Sequence, residues 1–350
     1  MMQTTTDVKS FQTSGEANIY QLPLEVFPGF WGFGYLVLVN HADKLYRVLI
    51  DCGSGYGNSN DHLESGLHAA SELSSQEISL GNLTHIFITH GHIDHFGGLS
   101  YVRPRTPAKL GIHELDRRNL TNYEERLTVV ARRLEAFLID AGVSTGRLET
   151  LLEMYMITKG LLRSIAVDFS YEAVGMQVGP FDFLHVPGHC AGQVIIRLHD
   201  VLFSGDHVLA GTSPHQAPEH LTLSTGLSHY LNSLDLTEKW AGDVRLTLGG
   251  HKEPVMDLPA RIEEIRGLHA DRLEKVLELL VEPHTIAEVS RALFGEVHGY
   301  NVLLALEEAG AHVEYLYQRG YLGIENLAEL ENSHGAIPIL YRQISPDHPS

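Results

Sequence analysis

The sequence predicts an α+β protein, and three observations support this fold class. Apolar runs rich in Val, Leu, Ile and Tyr, bounded by Gly, Pro and Asn, occur between residues 18 and 90 and again over residues 181–251, as in β-strands. Segments with apolar residues at three- and four-residue spacing occupy residues 112–164 and the region after Pro254, as in helices. The hydrophobic fraction, 43% of 350 residues, is enough to build a substantial core.

The pattern of the first ninety residues predicts strands and one helix after a tail. Residues 1–17 are expected to be a disordered tail, since their start, MMQTTTDVKS, is polar. Strands are predicted in IYQLPLEV, GYLVLVN and LYRVLID, because apolar and β-branched residues there are bounded by turn formers. A helix is predicted over residues 62–73, and the apolar run LTHIFITH predicts another strand.

The second half alternates between the two patterns. Two or three helices are predicted over residues 112–164, and strands return in FDFLHVPGH, QVIIRLHDVLFSGD and VRLTLGGH. Three helices follow Pro254, the second opened by a capping box from Thr285 to Glu288. The tail is predicted to form two strands around residues 332–335, so residues 261–350 show a winged-helix pattern.

The composition excludes several classes of function. Asp and Glu number 44 against 25 Lys and Arg, a net charge of −19, which disfavours binding to nucleic acid or to an anionic membrane surface. The predicted third helix of the winged-helix module is acidic as well. No apolar run approaches the roughly 20 residues of a membrane helix. Two cysteines and no secretory signal predict a cytoplasmic protein.

A cluster of metal-ligand residues follows one of the predicted strands. Residues 89–98 read Thr-His-Gly-His-Ile-Asp-His-Phe-Gly-Gly. His90 and His92 are two residues apart, so a β-like backbone would direct both to one side, and Asp94 and His95 follow as the loop turns. Imidazole and carboxylate groups together suit borderline divalent ions. Histidines crowded in this way would be poorly satisfied if they were buried without a metal.

Three further potential ligands end later strands. His189, Asp206 and His251 each follow an apolar strand and a glycine. A single histidine in such a place is usually structural, but strands that end at one sheet edge can bring their ligands together. The total of seven exceeds the needs of one tetrahedral ion, whereas two ions bridged by a carboxylate would use all seven.

The string THGHIDHFGG resembles the His-x-His-x-Asp-His signature of the metallo-β-lactamase superfamily, and PGH, SGD and GGH follow in that family's order. The resemblance implies an αβ/βα four-layer sandwich with two divalent metal ions at one edge, zinc being expected and iron or manganese the alternatives. It assigns the roles as follows: His90, His92 and His189 hold the first ion, Asp94, His95 and His251 hold the second, Asp206 bridges them, and Asp51 supports the site from behind.

The resemblance also divides the chain. It implies a catalytic domain over residues 18–260, with a helical insertion at about 112–164, and a winged-helix-like domain over residues 261–350. The ligand set and the appended module are similar to those of glyoxalase II-like and thioesterase-like members. A metal-bridging hydroxide would then cleave a thioester of acyl-CoA type, with Asp94 and Asp206 as catalytic groups. A lactonase or other carboxylic-ester hydrolase, an endoribonuclease and a non-catalytic ligand-binding member are the alternatives.

Four aromatic residues are candidate substrate contacts. Phe27, Phe30 and Trp31 lie on a Pro- and Gly-rich connection that would overhang the ions as an apolar wall, or would be buried in the sandwich. Tyr230 is a further candidate contact, and His207 a candidate support for the ligands. The insertion is expected to be a lid, a hairpin packed on the sandwich or a dimer interface. The expected partners are a small acyl substrate and a second copy of the chain.

Overall fold

The computed structural model describes residues 7–160, 162–333 and 335–344. The strands are β1 (Lys9–Gln12), β2 (Asn18–Phe27), β3 (Phe30–His41), β4 (Lys44–Ile50), β5 (His85–Phe87), β6 (Lys109–Ile112), β7 (Phe169–Ser170), β8 (Gln177–Val178), β9 (Phe181–His185), β10 (Val194–Leu198), β11 (Val201–Gly205), β12 (Leu246–Gly249), β13 (Leu322–Ile324) and β14 (Tyr341–Gln343). The α-helices are α1 (Ser59–Ser74), α2 (Ile93–Phe96), α3 (Leu99–Val102), α4 (Glu114–Thr121), α5 (Tyr123–Asp140), α6 (Thr145–Lys159), α7 (Leu227–Ala241), α8 (Leu258–Leu279), α9 (Ile286–Phe294), α10 (Asn301–Gln318) and α11 (Leu327–Asn332).

The chain forms two compact units. The sheet unit consists of Met1–Tyr123, Leu162–Pro214 and Leu234–Ile262. The helical unit consists of Glu124–Leu161, His215–Ser233 and Glu263–Ser350. Most of the predicted insertion, residues 124–161, belongs to the same compact unit as the C-terminal helices. The domain boundary predicted at residue 260 stays a prediction.

The sheet unit contains two sheets that share one core. The first has seven strands in chain order, antiparallel from β1 to β4 and parallel from β4 to β7. The second has the order β12-β11-β10-β9-β8. Apolar side chains from both sheets meet between them, among them Val37, Ile50, Phe87, Phe183, Ile196 and Phe203. Burial of this shared face is the main force that holds the sheets together.

Helices cover the outer faces of these sheets and complete the predicted sandwich. Helix α1 packs on β2, where Gly66 lies close to the Leu22 side chain. On the second sheet, the Arg197 guanidinium lies 4.7 Å above the Trp240 ring of α7. The mixed α/β arrangement matches the metallo-β-lactamase fold and confirms the predicted fold class.

The predicted disordered tail is ordered in part. Strand β1 lies within residues 1–17 and pairs with β2 in an antiparallel register, Lys9 opposite Gln21 and Gln12 opposite Asn18. The polar composition of residues 1–17 did not indicate β1. This strand lies at the edge of the sheet and buries little apolar surface. Residues 1–6 of the predicted tail lie outside the described residues.

The helical unit has its own apolar core, formed by the predicted insertion together with the C-terminal helices. This core includes Phe137, Leu138, Leu151, Val276, Leu280, Leu303 and Leu306. Thus the apolar faces of α5 and α6 contribute to a folded core. The predicted capping box at the start of α9 is confirmed, since Thr285 Oγ1 accepts from the Glu288 amide and Glu288 accepts from the Thr285 amide.

The tail differs in detail from its prediction. Strands β13 and β14 pair antiparallel, but residues 327–332, predicted as strand, form α11. Its sequence, LAELEN, consists mostly of good helix formers, which override the strand pattern. Residue 334 of the predicted turn and residues 345–350 lie outside the described residues. The winged-helix character of this region stays a prediction. No helix in the described part of the chain combines the length and apolar character needed to cross a bilayer.

Candidate metal centre

The seven predicted ligands lie at strand ends of the sheet unit. His90 and His92 follow β5, and the single turn of α2 carries Asp94 and His95. The other three lie in the segments that follow strands of the second sheet: His189 after β9, Asp206 after β11 and His251 after β12. The structure gathers these side chains into two groups, each small enough to surround one ion.

The first ligand group consists of His90, His92 and His189. His90 Nε2 lies 3.0 Å from His92 Nδ1, and the His189 ring centroid lies 4.6 Å from that of His92. Two nitrogens bound tetrahedrally to one zinc ion, each at its usual distance, are separated by about 3.3 Å. The spacing of the first ligand group is therefore close to that of a zinc site.

The second ligand group consists of Asp94, His95, Asp206 and His251. His251 Nε2 is 3.2 Å from Asp94 Oδ2 and 3.4 Å from Asp206 Oδ2. His95 Nε2 is 3.5 Å from Asp206 Oδ1 and 3.8 Å from Asp94 Oδ2. Two imidazoles and two carboxylates in such an arrangement suit a divalent ion of borderline hardness.

Asp206 lies between the two groups. Its Oδ2 atom is 3.4 Å from His251 Nε2 and 3.8 Å from His189 Nε2, and these histidines belong to different groups. A carboxylate in this position could contact ions held by either group. The predicted bridging role of Asp206 stays a prediction.

Buried polar atoms test whether this site fits divalent ions. Within the described residues, His95 Nε2 and Asp206 Oδ1 are buried and have no hydrogen-bond partner. Leaving such groups unsatisfied costs about 1–3 kcal/mol each. The glycine before His251 makes room for them, because a Cβ on Gly250 would lie 2.5 Å from His95 Cε1 and would also clash with Asp206 Oδ1. The residues present therefore fit divalent ions.

Asp51 and Thr89 orient two of the histidines from behind. Asp51 accepts hydrogen bonds from His95 Nδ1 and from the Thr89 amide and hydroxyl, each at 2.8 Å. Because the Thr89 hydroxyl donates to Asp51, its oxygen accepts from His90 Nδ1 at 3.0 Å. Both histidines thus keep the lone pair of Nε2 for a metal. Asp51 is at the predicted place, whereas Thr89 was not predicted, although it directly precedes His90.

The charges of the site shift the pKa values of its histidines in opposite directions. Burial and the neighbouring His95 ring hold the pKa of His90 well below its usual value. Burial also lowers the pKa of His251, but the carboxylates of Asp206 and Asp94 outweigh it and raise that pKa to about 10. The second ligand group therefore attracts positive charge more strongly, as expected for the group that contains both carboxylates.

The predicted aromatic residues of the β2–β3 connection have different surroundings. Phe30 is 45% exposed, and its ring centroid lies 4.8 Å from that of His251. The Trp31 carbonyl accepts from His251 Nδ1 at 2.8 Å, while the Trp31 ring stacks on His62 and lines a separate cavity of about 650 Å³. Phe27 is half-buried beside Tyr56, a residue that was not predicted. Among the three predicted aromatic side chains, Phe30 lies against the ring of a predicted metal ligand.

Two other predicted site residues, His207 and Tyr230, are fully buried. His207 is fully buried, and its Nε2 lies 2.8 Å from Thr237 Oγ1 in α7. Tyr230 is fully buried in the helical unit, with its ring centroid 5.6 Å from that of His269. The substrate contact predicted for Tyr230 and the ligand support predicted for His207 stay predictions.

A third group of potential ligands, His269, Glu308 and His312, lies in the helical unit. Its carboxylate already has partners: Glu308 binds Arg272 Nη1 at 2.8 Å and the Gln216 amide at 2.7 Å. The Arg272 cation neutralises the charge that would attract a metal ion, and its own charge would repel one. We interpret this group as a structural polar network.

The two ligand groups lie at one edge of two facing mixed sheets. Proteins with histidines and carboxylates at such strand ends form a class that can hold divalent ions there. The chain belongs to the metallo-beta-lactamase superfamily, whose family model matches residues 29–273. Members are mostly metal-dependent hydrolases and typically bind divalent metal, often zinc. The superfamily predicted from THGHIDHFGG is thus confirmed.

Two solved structures are similar over nearly the whole chain. A metallo-beta-lactamase family protein from Thermus thermophilus is 25% identical, with a TM-score of 0.71 over 93% of this chain and 98% of that chain. A beta-lactamase domain protein from Burkholderia ambifaria is 20% identical, with a TM-score of 0.70 over 98% and 96%. A comparison with curated proteins finds no match. The neighbours support the fold over both units of the chain.

Proposed function

We propose that this protein is a binuclear metal-dependent hydrolase that cleaves a thioester of acyl-CoA type. One observation carries the proposal: the seven predicted ligands form two groups, and Asp206 of the second group lies 3.8 Å from His189 of the first. A non-catalytic member that uses the pocket only for binding would have no need of the full set. Two divalent ions would supply a polarised carbonyl and a water of lowered pKa.

The side chains around the ions would provide orientation and proton transfer. Asp94 Oδ2 and Asp206 Oδ2 both lie within 3.4 Å of His251 Nε2, so either carboxylate is placed to orient a nucleophile or to pass a proton to the leaving thiolate. Asp51 and Thr89 hold the His95 and His90 rings, which keeps the reacting groups in a fixed geometry.

The preference for an acyl substrate rests on Phe30. Its exposed ring lies against His251, and Phe27 and Tyr56 form a second aromatic pair near the same hairpin. An exposed aromatic side chain beside a polar site provides an apolar surface for an acyl chain. The net charge of −19 further favours a small-molecule substrate over RNA. Cys52 and Cys190, both free thiols, are consistent with the proposed cytoplasmic location.

The test is release of free thiol from short-, medium- and long-chain acyl-CoA. Protein loaded separately with Zn²⁺, Mn²⁺ and Fe²⁺ would be assayed beside the His92→Ala variant. We expect metal-dependent release that is lost in this variant, and a Phe30→Ala variant that raises KM for the longer chains more than for the shortest. Phe11→Ala, outside the site, is the matched control for loss of a phenyl ring.

Failure of thiol release with every metal and chain length would refute the thioester proposal. The same preparations would then be assayed with lactones, because an identical ligand set serves carboxylic-ester hydrolysis. Lactone turnover that depends on His92 would identify the alternative enzyme. Inactivity on both substrate classes despite two bound ions would favour the non-catalytic member.

A further inference from the structure

Asp116 lies behind the metal centre, on the first turn of α4. Strand β6 precedes this helix and pairs in parallel with β5, so its carboxyl end points to the same sheet edge as the loop that carries His90. Only 1% of the residue is exposed. Burial of a carboxylate costs desolvation free energy, which hydrogen-bond partners must offset. The partners of Asp116 therefore indicate its role.

The carboxylate of Asp116 contacts both loops that carry the first ligand group. Its Oδ2 accepts from the Gly91 amide at 2.8 Å, and Gly91 lies between His90 and His92. The Cys190 thiol donates to the same oxygen at 3.1 Å, and Cys190 directly follows His189. The His90–His92 loop follows β5 of the first sheet, and the His189 loop follows β9 of the second sheet.

Glycines allow the backbone of both loops to lie close to the Asp116 carboxylate. A Cβ on Gly192 would lie 2.6 Å from Asp116 Cγ, and a Cβ on Gly91 would lie 3.1 Å from the same atom and would clash with Asn119. Any larger residue at these two positions would push the loops away from the carboxylate. The contact is therefore built by three segments of the chain, since each loop provides a glycine and α4 provides the carboxylate.

We propose that Asp116 is a positioning residue for the first ligand group: it fixes the separation of the His90–His92 loop and the His189 loop, and so sets their affinity for a metal ion. The inference rests on the proposed binuclear centre. Asp51 acts on His95 through a hydrogen bond to its ring, whereas Asp116 acts through a backbone amide and a neighbouring thiol. Loss of Asp116 would therefore weaken one ion selectively.

The test measures zinc affinity by competition with a chromophoric chelator in wild type, Asp116→Ala and Asp116→Asn. We expect Asp116→Ala to weaken one of two ions by about 10–100-fold, the range typical of such outer hydrogen bonds, and to leave the other within about threefold. Its binding profile should match that of His92→Ala, which lacks a ligand of the first group, and not that of His251→Ala. Asp116→Asn keeps an oxygen acceptor for the Gly91 amide and should restore most of the affinity. Glu114→Gln, an exposed residue on the same helix with the same change in charge, is the control.

Unchanged binding of both ions in Asp116→Ala would overturn the inference. Equal weakening of both ions would also overturn it, because it would indicate a general role in folding. If Asp116→Ala fails to fold, Cys190→Ala removes the thiol donor that links the His189 loop to the carboxylate. We then expect a selective weakening of the same ion, whereas no change would overturn the inference. A wild-type protein that binds no zinc would instead refute the proposed function.

Discussion

Gly250→Ala tests the geometry of the second ligand group with a single added methyl. The new Cβ would lie 2.5 Å from His95 Cε1 and closer still to Asp206 Oδ1. Both atoms belong to metal-ligand side chains, so neither can move without changing the site. The φ angle of Gly250 is not positive, so the backbone itself accepts alanine.

The size of the effect follows from the distance. Relief of the contact to an ordinary separation of about 3.4 Å requires His95 to shift by about 0.9 Å, and overpacking of this kind costs about 1–3 kcal/mol. Since about 1.4 kcal/mol corresponds to a factor of ten in affinity, we expect binding to the second ligand group to weaken by about 10–100-fold.

The assay is zinc titration against a chelator, with thermal unfolding of the metal-free protein as a check on folding. Gly267→Ala is the matched control, because no atom lies within 4 Å of its added Cβ in α8. It should stabilise the helix by about 0.5–1 kcal/mol and leave zinc binding unchanged. If Gly250→Ala binds both ions with wild-type affinity, the assignment of the second ligand group is wrong.

Three further predictions concern stability and metal content. Asp51→Ala leaves the buried donors of His95 and Thr89 without their acceptor, so it should lower the free energy of unfolding of the metal-free protein by about 3 kcal/mol in urea denaturation; an unchanged midpoint would contradict the hydrogen bonding described. Burial raises the pKa of Glu307 to about 7, so the folded state holds this proton more tightly than the unfolded state, and stability should fall as pH rises from about 4.5 to 7. Glu307→Gln should remove about 3 kcal/mol of that fall, measured by denaturation at pH 4 and pH 8, and identical curves for the two proteins would refute the shift. His269→Ala should leave the number of bound metal ions unchanged by elemental analysis, and loss of one ion would show that the third group is a metal site after all.

The arrangement of ligands was predictable because it depends on a simple rule of sheet structure. Each ligand segment follows an apolar strand, and strands of one sandwich that end at the same edge bring their loops together. Asp116 follows β6 in the same way, but the sequence alone assigned this residue to a helical insertion. Its contact with Gly91 joins segments that are distant along the chain, and no local spacing in the sequence indicates such a contact.

Packing partners were less predictable than elements. The periodicity of residues 112–164 correctly indicates helices, yet it does not specify which apolar surface they meet. Only the folded chain shows that Phe137 and Leu151 share a core with Val276 and Leu306. The strand prediction for residues 327–332 was wrong for another reason. A six-residue segment is too short to show a reliable periodicity, and local helix propensity decided its structure.

The discontinuous helical unit has a consequence for synthesis of the chain. Helices α5 and α6 leave the ribosome first, and about a hundred residues separate the end of α6 at Lys159 from the start of α8 at Leu258. Until α8, α9 and α10 emerge, the apolar faces around Phe137 and Leu151 lack most of their final partners. Premature termination between residues 261 and 300, before α10, would therefore yield an aggregation-prone fragment that still carries every metal ligand.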